Sequence, residues 1–62
     1  MKTVVIERTG NIALLMKEDP KACERYIVAR GYDPLTRQWY GGGTYYKDIA
    51  DAAEGYKKAV KG

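Results

Sequence analysis

Histidine is absent from these 62 residues, and cysteine occurs once, at Cys23. A lone thiol closes no internal disulfide. Without histidine it lacks both the company of an ordinary zinc site and a base to make it a nucleophile. Long apolar runs are missing too, since none approaches the roughly 20 residues needed to cross a bilayer. The opening Met1-Lys2-Thr3-Val4-Val5-Ile6-Glu7 turns charged too early for a secretory signal. Eleven Lys plus Arg against eight Asp plus Glu leave +3, a balance that favours polyanions only mildly. No internal repeat, linker or low-complexity segment interrupts the chain. The expectation is a cytoplasmic protein, not an enzyme, with no cofactor, no metal, no membrane association and no small-molecule substrate.

Apolar residues make up 45% of the chain and charged residues 31%, a globular composition. Residues 1–62 are expected to form a single domain. A domain this short buries only about 60% of the surface its unfolded chain exposes, so its own core is marginal. Small domains without disulfide or metal often gain stability by oligomerising. Size alone thus leaves a homodimer or a protein partner open before any motif is read.

The predicted fold is α+β: an antiparallel β-meander of three or four strands with one C-terminal helix packed on one face. Residues 3–8 and 12–17 are aliphatic runs around Thr9-Gly10-Asn11, which reads as a hairpin. A three-residue loop with Asn11 left-handed pairs Arg8 with Ile12, Ile6 with Leu14 and Val4 with Met16, gathering one aliphatic face. A two-residue loop would set Glu7 beside Leu14 on that face. Glu18-Asp19-Pro20-Lys21-Ala22 is a turn. Cys23 reads as a small buried apolar residue beginning the next strand. Residues 24–32 alternate Tyr26, Val28, Arg30 and Tyr32 against Arg25, Ile27, Ala29 and Gly31, as a third strand does. Asp33-Pro34-Leu35-Thr36 turns the chain, and residues 37–46 return as a fourth strand, interrupted at Gly41–Gly43 by a bulge or irregular crossing. The helix is placed at about 48–60. Asp48 is its N-cap, with Asp51 completing a variant capping box. Ile49, Ala52, Ala53, Tyr56, Ala59 and Val60 form its apolar arc. Glu54 and Lys58 make an i, i+4 pair.

One helix covers one sheet face, yet the hairpin register leaves a second apolar face. Val5, Ala13 and Leu15 belong to it, and Ile27 and Ala29 join from the third strand. Either the sheet coils so strongly that its ends fold over both faces, or the patch is open and marks an interface. The second arrangement is the expectation, with Val5, Ala13, Leu15, Ile27 and Ala29 meeting a protein partner or a second copy.

The densest stretch runs from Arg37 to Lys47 and holds the sole Trp and three consecutive glycines. Trp39 and Tyr45 read as filling the space between sheet and helix, leaving Tyr40 and Tyr46, which alternate away from them, for either role. The triplet lacks the Lys-Ser/Thr of a phosphate-binding loop. The alternative function is nucleic-acid binding through Arg25, Arg30, Arg37, Trp39, Tyr40 and Lys47, where aromatics interleave with cations.

The order strands-then-helix, with Trp39, then Gly43-Thr44-Tyr45, then an alanine-bearing helix ending near Tyr56, resembles the Apetala-type and integrase amino-terminal DNA-binding domains. The likeness covers about the last third of the chain. It implies a three-stranded sheet, backed by one helix, that lies in the DNA major groove. The chain also resembles small proteins of bacterial mobile elements, a likeness that implies no function.

Overall fold

The computed structural model describes residues 3–62. Two aliphatic runs start the fold as the strands β1 (Thr3–Thr9) and β2 (Ile12–Lys17), joined by a tight turn at Gly10-Asn11. The turn has two residues, not three, and the left-handed residue is Gly10 (φ 59°), not Asn11. Glycine at the first central position suits a type II′ turn, whose twist matches that of the flanking strands. Near the turn the pairs are consequently Thr9 with Ile12, Arg8 with Ala13 and Glu7 with Leu14. A bulge between Val5 and Glu7 absorbs one residue and restores Val5 opposite Leu15 and Val4 opposite Met16. The expected register thus holds beyond the bulge and fails before it. Glu7 is tolerated opposite Leu14 because β1 is an edge strand and Glu7 is exposed.

Asp19 shapes the next turn, its carboxylate accepting from Lys21 N at 2.9 Å and its carbonyl from Ala22 N at 3.2 Å. Cys23 lies exposed in this loop rather than buried in a strand, because regular pairing begins only at β3 (Tyr26–Arg30).

The architecture turns on the end of β3. Gly31 takes φ 67°, a left-handed angle that L side chains rarely adopt. It breaks the predicted strand 24–32, and the chain goes on as a two-residue strand β4 (Tyr32–Asp33). Asp33 turns it: its side chain accepts from Leu35 N at 2.9 Å and its carbonyl from Arg37 N at 2.8 Å. β5 (Gln38–Trp39) returns beside β4, and β6 (Gly43–Tyr46) returns beside β3. Between these pairings the return leg carries one residue more than the outgoing leg. Arg30 meets two glycines there, accepting from Gly41 N at 2.9 Å and donating to Gly42 O at 2.9 Å. The glycine stretch is therefore a bulge. The whole segment is one long hairpin, bent at Gly31 and Gly41-Gly42. A Cβ on Gly31 would stand 2.8 Å from the backbone N of Gly41, so the bend needs glycine for space as well as angle.

The main sheet has the order β1-β2-β3-β6, and β4-β5 forms a second, small sheet. Helix α1 (Ile49–Lys61) packs on β2, β3 and β6. Asp48 occupies the N-cap position in extended conformation but makes no side-chain capping bond. Gly62 closes the other end through its N–H to Lys58 O at 2.9 Å. Glu54 and Lys58 pair at 3.7 Å on the solvent side, as their spacing predicts.

Two apolar clusters result, one on each face. Leu14, Val28, Ala52 and Tyr56 are buried under the helix, with Ile12, Tyr26, Tyr46 and Ala59 packed around them. Ala13, Leu15, Ile27, Ala29 and Tyr32 are buried on the opposite face, with Trp39 packed against them. Burying a side chain the size of Leu15 or Ile27 stabilises by about 1.5–3 kcal/mol, so both faces are needed in so small a molecule. The Tyr56 hydroxyl also meets Thr9 Oγ1 at 2.6 Å, tying the helix to the edge strand. Of the predicted helix arc, Ile49 and Val60 are exposed. Both lie at or next to an end of the 13-residue helix.

Candidate functional site

Five residues were expected to form an open apolar face, and the structure withdraws four of them. Ala13, Leu15, Ile27 and Ala29 each have 0% exposure, because the β4–β5 hairpin folds over them and sets Tyr32 and Trp39 on top. Only Val5 remains accessible, at 42%. Of the two arrangements left open by the pattern, the structure adopts coverage from within the chain, by a bent hairpin rather than by a coiled barrel.

Exposed apolar surface has instead collected on β1. Val4, Val5 and Ile6 are consecutive and each is more than two-fifths exposed. No strand pairs with the outer side of β1 among the described residues, so a row of backbone groups faces outward there. The opposite edge, β6, is four residues long and lies against the helix.

Beside β1, on the side away from the helix, runs an open groove of about 550 Å³. Val4, Val5 and Arg8 of β1 line it together with Glu18 and with Tyr32, Pro34 and Arg37 of the bent hairpin. A second hollow of about 300 Å³ adjoins it, lined by Thr3, Arg37, Gln38 and Trp39. Thr3 and Arg37 belong to both. Arg37 holds φ 59°, the one positive value among non-glycine residues described. Sequence reasoning missed this groove because it depends on the bend at Gly31. The available signal was a glycine inside an otherwise regular strand pattern.

Of the residues considered for nucleic acid, Arg37 and Trp39 share a hollow, and the others are spread over the sheet and the hairpin. Arg25 precedes β3 and Arg30 ends it, about 17 Å apart at a strand's rise. Arg25 donates to Lys17 O at 3.1 Å, and Arg30 points at Thr44 Oγ1 at 3.5 Å. Trp39 is half-buried against the sheet, on the face away from the helix rather than beneath it. Tyr40 is 71% exposed, and Lys47 is exposed beyond β6. Tyr45 is also exposed, with Lys17 Nζ 5.1 Å from its ring centre, whereas Tyr46 packs under the helix. The space beside the helix is thus filled by Tyr46 and not, as expected, by Tyr45. The sheet face opposite the helix lies under the hairpin except at Val5 and Tyr45, so neither broad face is open from edge to edge.

Among the described residues no group of three or more Cys, Asp or Glu is placed to hold a metal ion, and no helix is long and apolar enough to cross a membrane. The chain matches no family model, no curated protein and no solved structure.

Proposed function

We propose that this chain is a non-catalytic interaction module that binds protein by strand addition at β1. The observation that carries the reading is the contrast between β1 and the rest of the sheet. Every other aliphatic side chain of β2 and β3 is buried or half-buried, whereas Val4, Val5 and Ile6 remain exposed on an unpaired edge. Soluble domains usually blunt such an edge with charge, proline or a bulge. Here the bulge at Ile6 is present, but the residues before it are apolar. An incoming strand would gain main-chain hydrogen bonds from the edge and side-chain pairing with the valines, the two components of strand addition.

Amide hydrogen exchange tests the reading with a panel of extended heptapeptides. Binding that slows exchange within Thr3–Thr9 and is lost in Val5→Lys supports it. Binding that maps to β6 or α1, or no binding by any peptide and no self-association, removes it. Nucleic-acid binding gains no specific observation from the placement of its arginines and tyrosines.

A further inference from the structure

Resting on that reading, we infer that the strand added at β1 is an extended acidic segment of another protein, with a carboxylate entering the groove between Arg8 and Arg37. Two cations and one acid, Glu18, line this groove. Arg8 spends one of its donors on Gly10 O at 3.1 Å, and a guanidinium carries five. Arg37 is exposed, and the ion pair found among the described residues, Glu54–Lys58, does not involve it. The backbone of Arg37 points the same way. A left-handed position is best filled by glycine, and a non-glycine residue there carries strain that clusters at functional sites. The chain holds arginine at this position, and the side chain so placed lines both hollows beside β1.

Geometry fits an extended occupant. Successive side chains of an added strand alternate between faces, and those on one face recur about every 6.8 Å. One face would turn toward the helix side, while the other would enter the groove past Val5 and Tyr32. A peptide with acids at alternate positions therefore presents them all to the arginines.

A second copy of this chain fits less well. By alternation and the bulge, β1 carries Thr3, Val5 and Arg8 on one face, the residues opposite Lys17, Leu15 and Ala13. A two-fold axis through Val5 exchanges Thr3 with Arg8, which brings Arg8 of the second copy to the Thr3 and Arg37 of the first. Each groove, which already holds two cations and one acid, would receive a third cation.

The test uses three synthetic peptides capped at both ends: Thr-Val-Glu-Val-Glu-Val-Thr, and the same sequence with Gln or with Lys replacing Glu. Trp39, the only tryptophan, reports binding by fluorescence, and amide exchange along β1 reports strand addition. The Glu peptide is expected to bind at least ten-fold more tightly than the Gln peptide, with an affinity that falls as salt rises, and the Lys peptide not at all. Arg37→Gly should abolish this preference without unfolding the chain, because it removes the cation and relieves the backbone at once. Arg8→Gln should weaken it. Equal binding of the Glu and Gln peptides, with β1 protected, overturns acid selection and leaves strand addition standing. Doubling of the solution mass with β1 protected in the absence of peptide replaces the acidic segment by a second copy. If no peptide protects β1 and the chain stays monomeric, the proposal and the reading beneath it both fall.

Discussion

Tyr32 stands directly opposite Trp39 across the short pairing of β4 and β5, and the two rings together roof the sheet face built from Ala13, Leu15, Ile27 and Ala29. The roof is thin, two residues on each leg. Removing half of it should therefore be costly. Trp39→Ala is expected to destabilise the domain by about 2–3 kcal/mol, below the figure for a fully buried Trp because this one is half-exposed. Urea unfolding would measure this, and a dye that binds exposed apolar surface should bind the variant and not the parent. A loss under about 0.5 kcal/mol would mean that the hairpin is not a roof.

Val5 and Leu15 are paired neighbours with opposite fates, one at the open edge and one sealed. Leu15→Glu is expected to unfold the chain, since the carboxylate would lie in an apolar cluster without a partner. Val5→Glu should leave the fold intact, with a thermal midpoint within a few degrees of the parent. A folded Leu15→Glu protein would show that the opposite face is not closed.

Gly31 and Gly10 share nearly the same positive φ but differ in the space around them. Nothing stands within 4 Å of a Cβ at Gly10, whereas one at Gly31 meets backbone. Gly10→Asn should cost about 1 kcal/mol, the strain of the positive φ alone, because no atom opposes its Cβ. Gly31→Ala should cost several times more, adding displacement of the bend to the strain. Equal costs, read from parallel denaturation curves, would mean that the bend is not held by close approach.

Gly55 lies in the middle of α1, where glycine is about 1 kcal/mol worse than alanine. The reason it fits is Tyr46, whose ring and hydroxyl occupy the space a Cβ would take. Gly55→Ala is expected to destabilise the parent by about 1 kcal/mol or more, through the overpacking it forces. The same substitution in a Tyr46→Val background should stabilise, as helix propensity then acts unopposed. A double-mutant cycle without this reversal of sign would dismiss the clash.

The elements that depend on local chemistry are legible in the chain. The strand at 12–17, the Asp19 turn and the helix, displaced by one residue at each end, arise from aliphatic runs, proline and helical spacing. The candidate site is not, for one geometric reason. Alternation assigns Tyr32 to the side of Tyr26 and Val28, but the left-handed turn at Gly31 sends it to the side of Ile27 and Ala29. Periodicity carries no information about a residue that reverses the strand's facing, so by pattern alone the second face looks open. The hairpin register fails similarly: the loop has two residues, and the bulge at Ile6 restores the register of a three-residue loop only from Val5 back to Thr3.

Leu14 and Leu15, like Val28 and Ile27, are adjacent in the chain but belong to opposite clusters. The β2–β3 pairing is thus a shared wall, and opening it would dissolve both interiors at once. The helix and the hairpin tip both rest on that wall, so unfolding should proceed by a single cooperative transition.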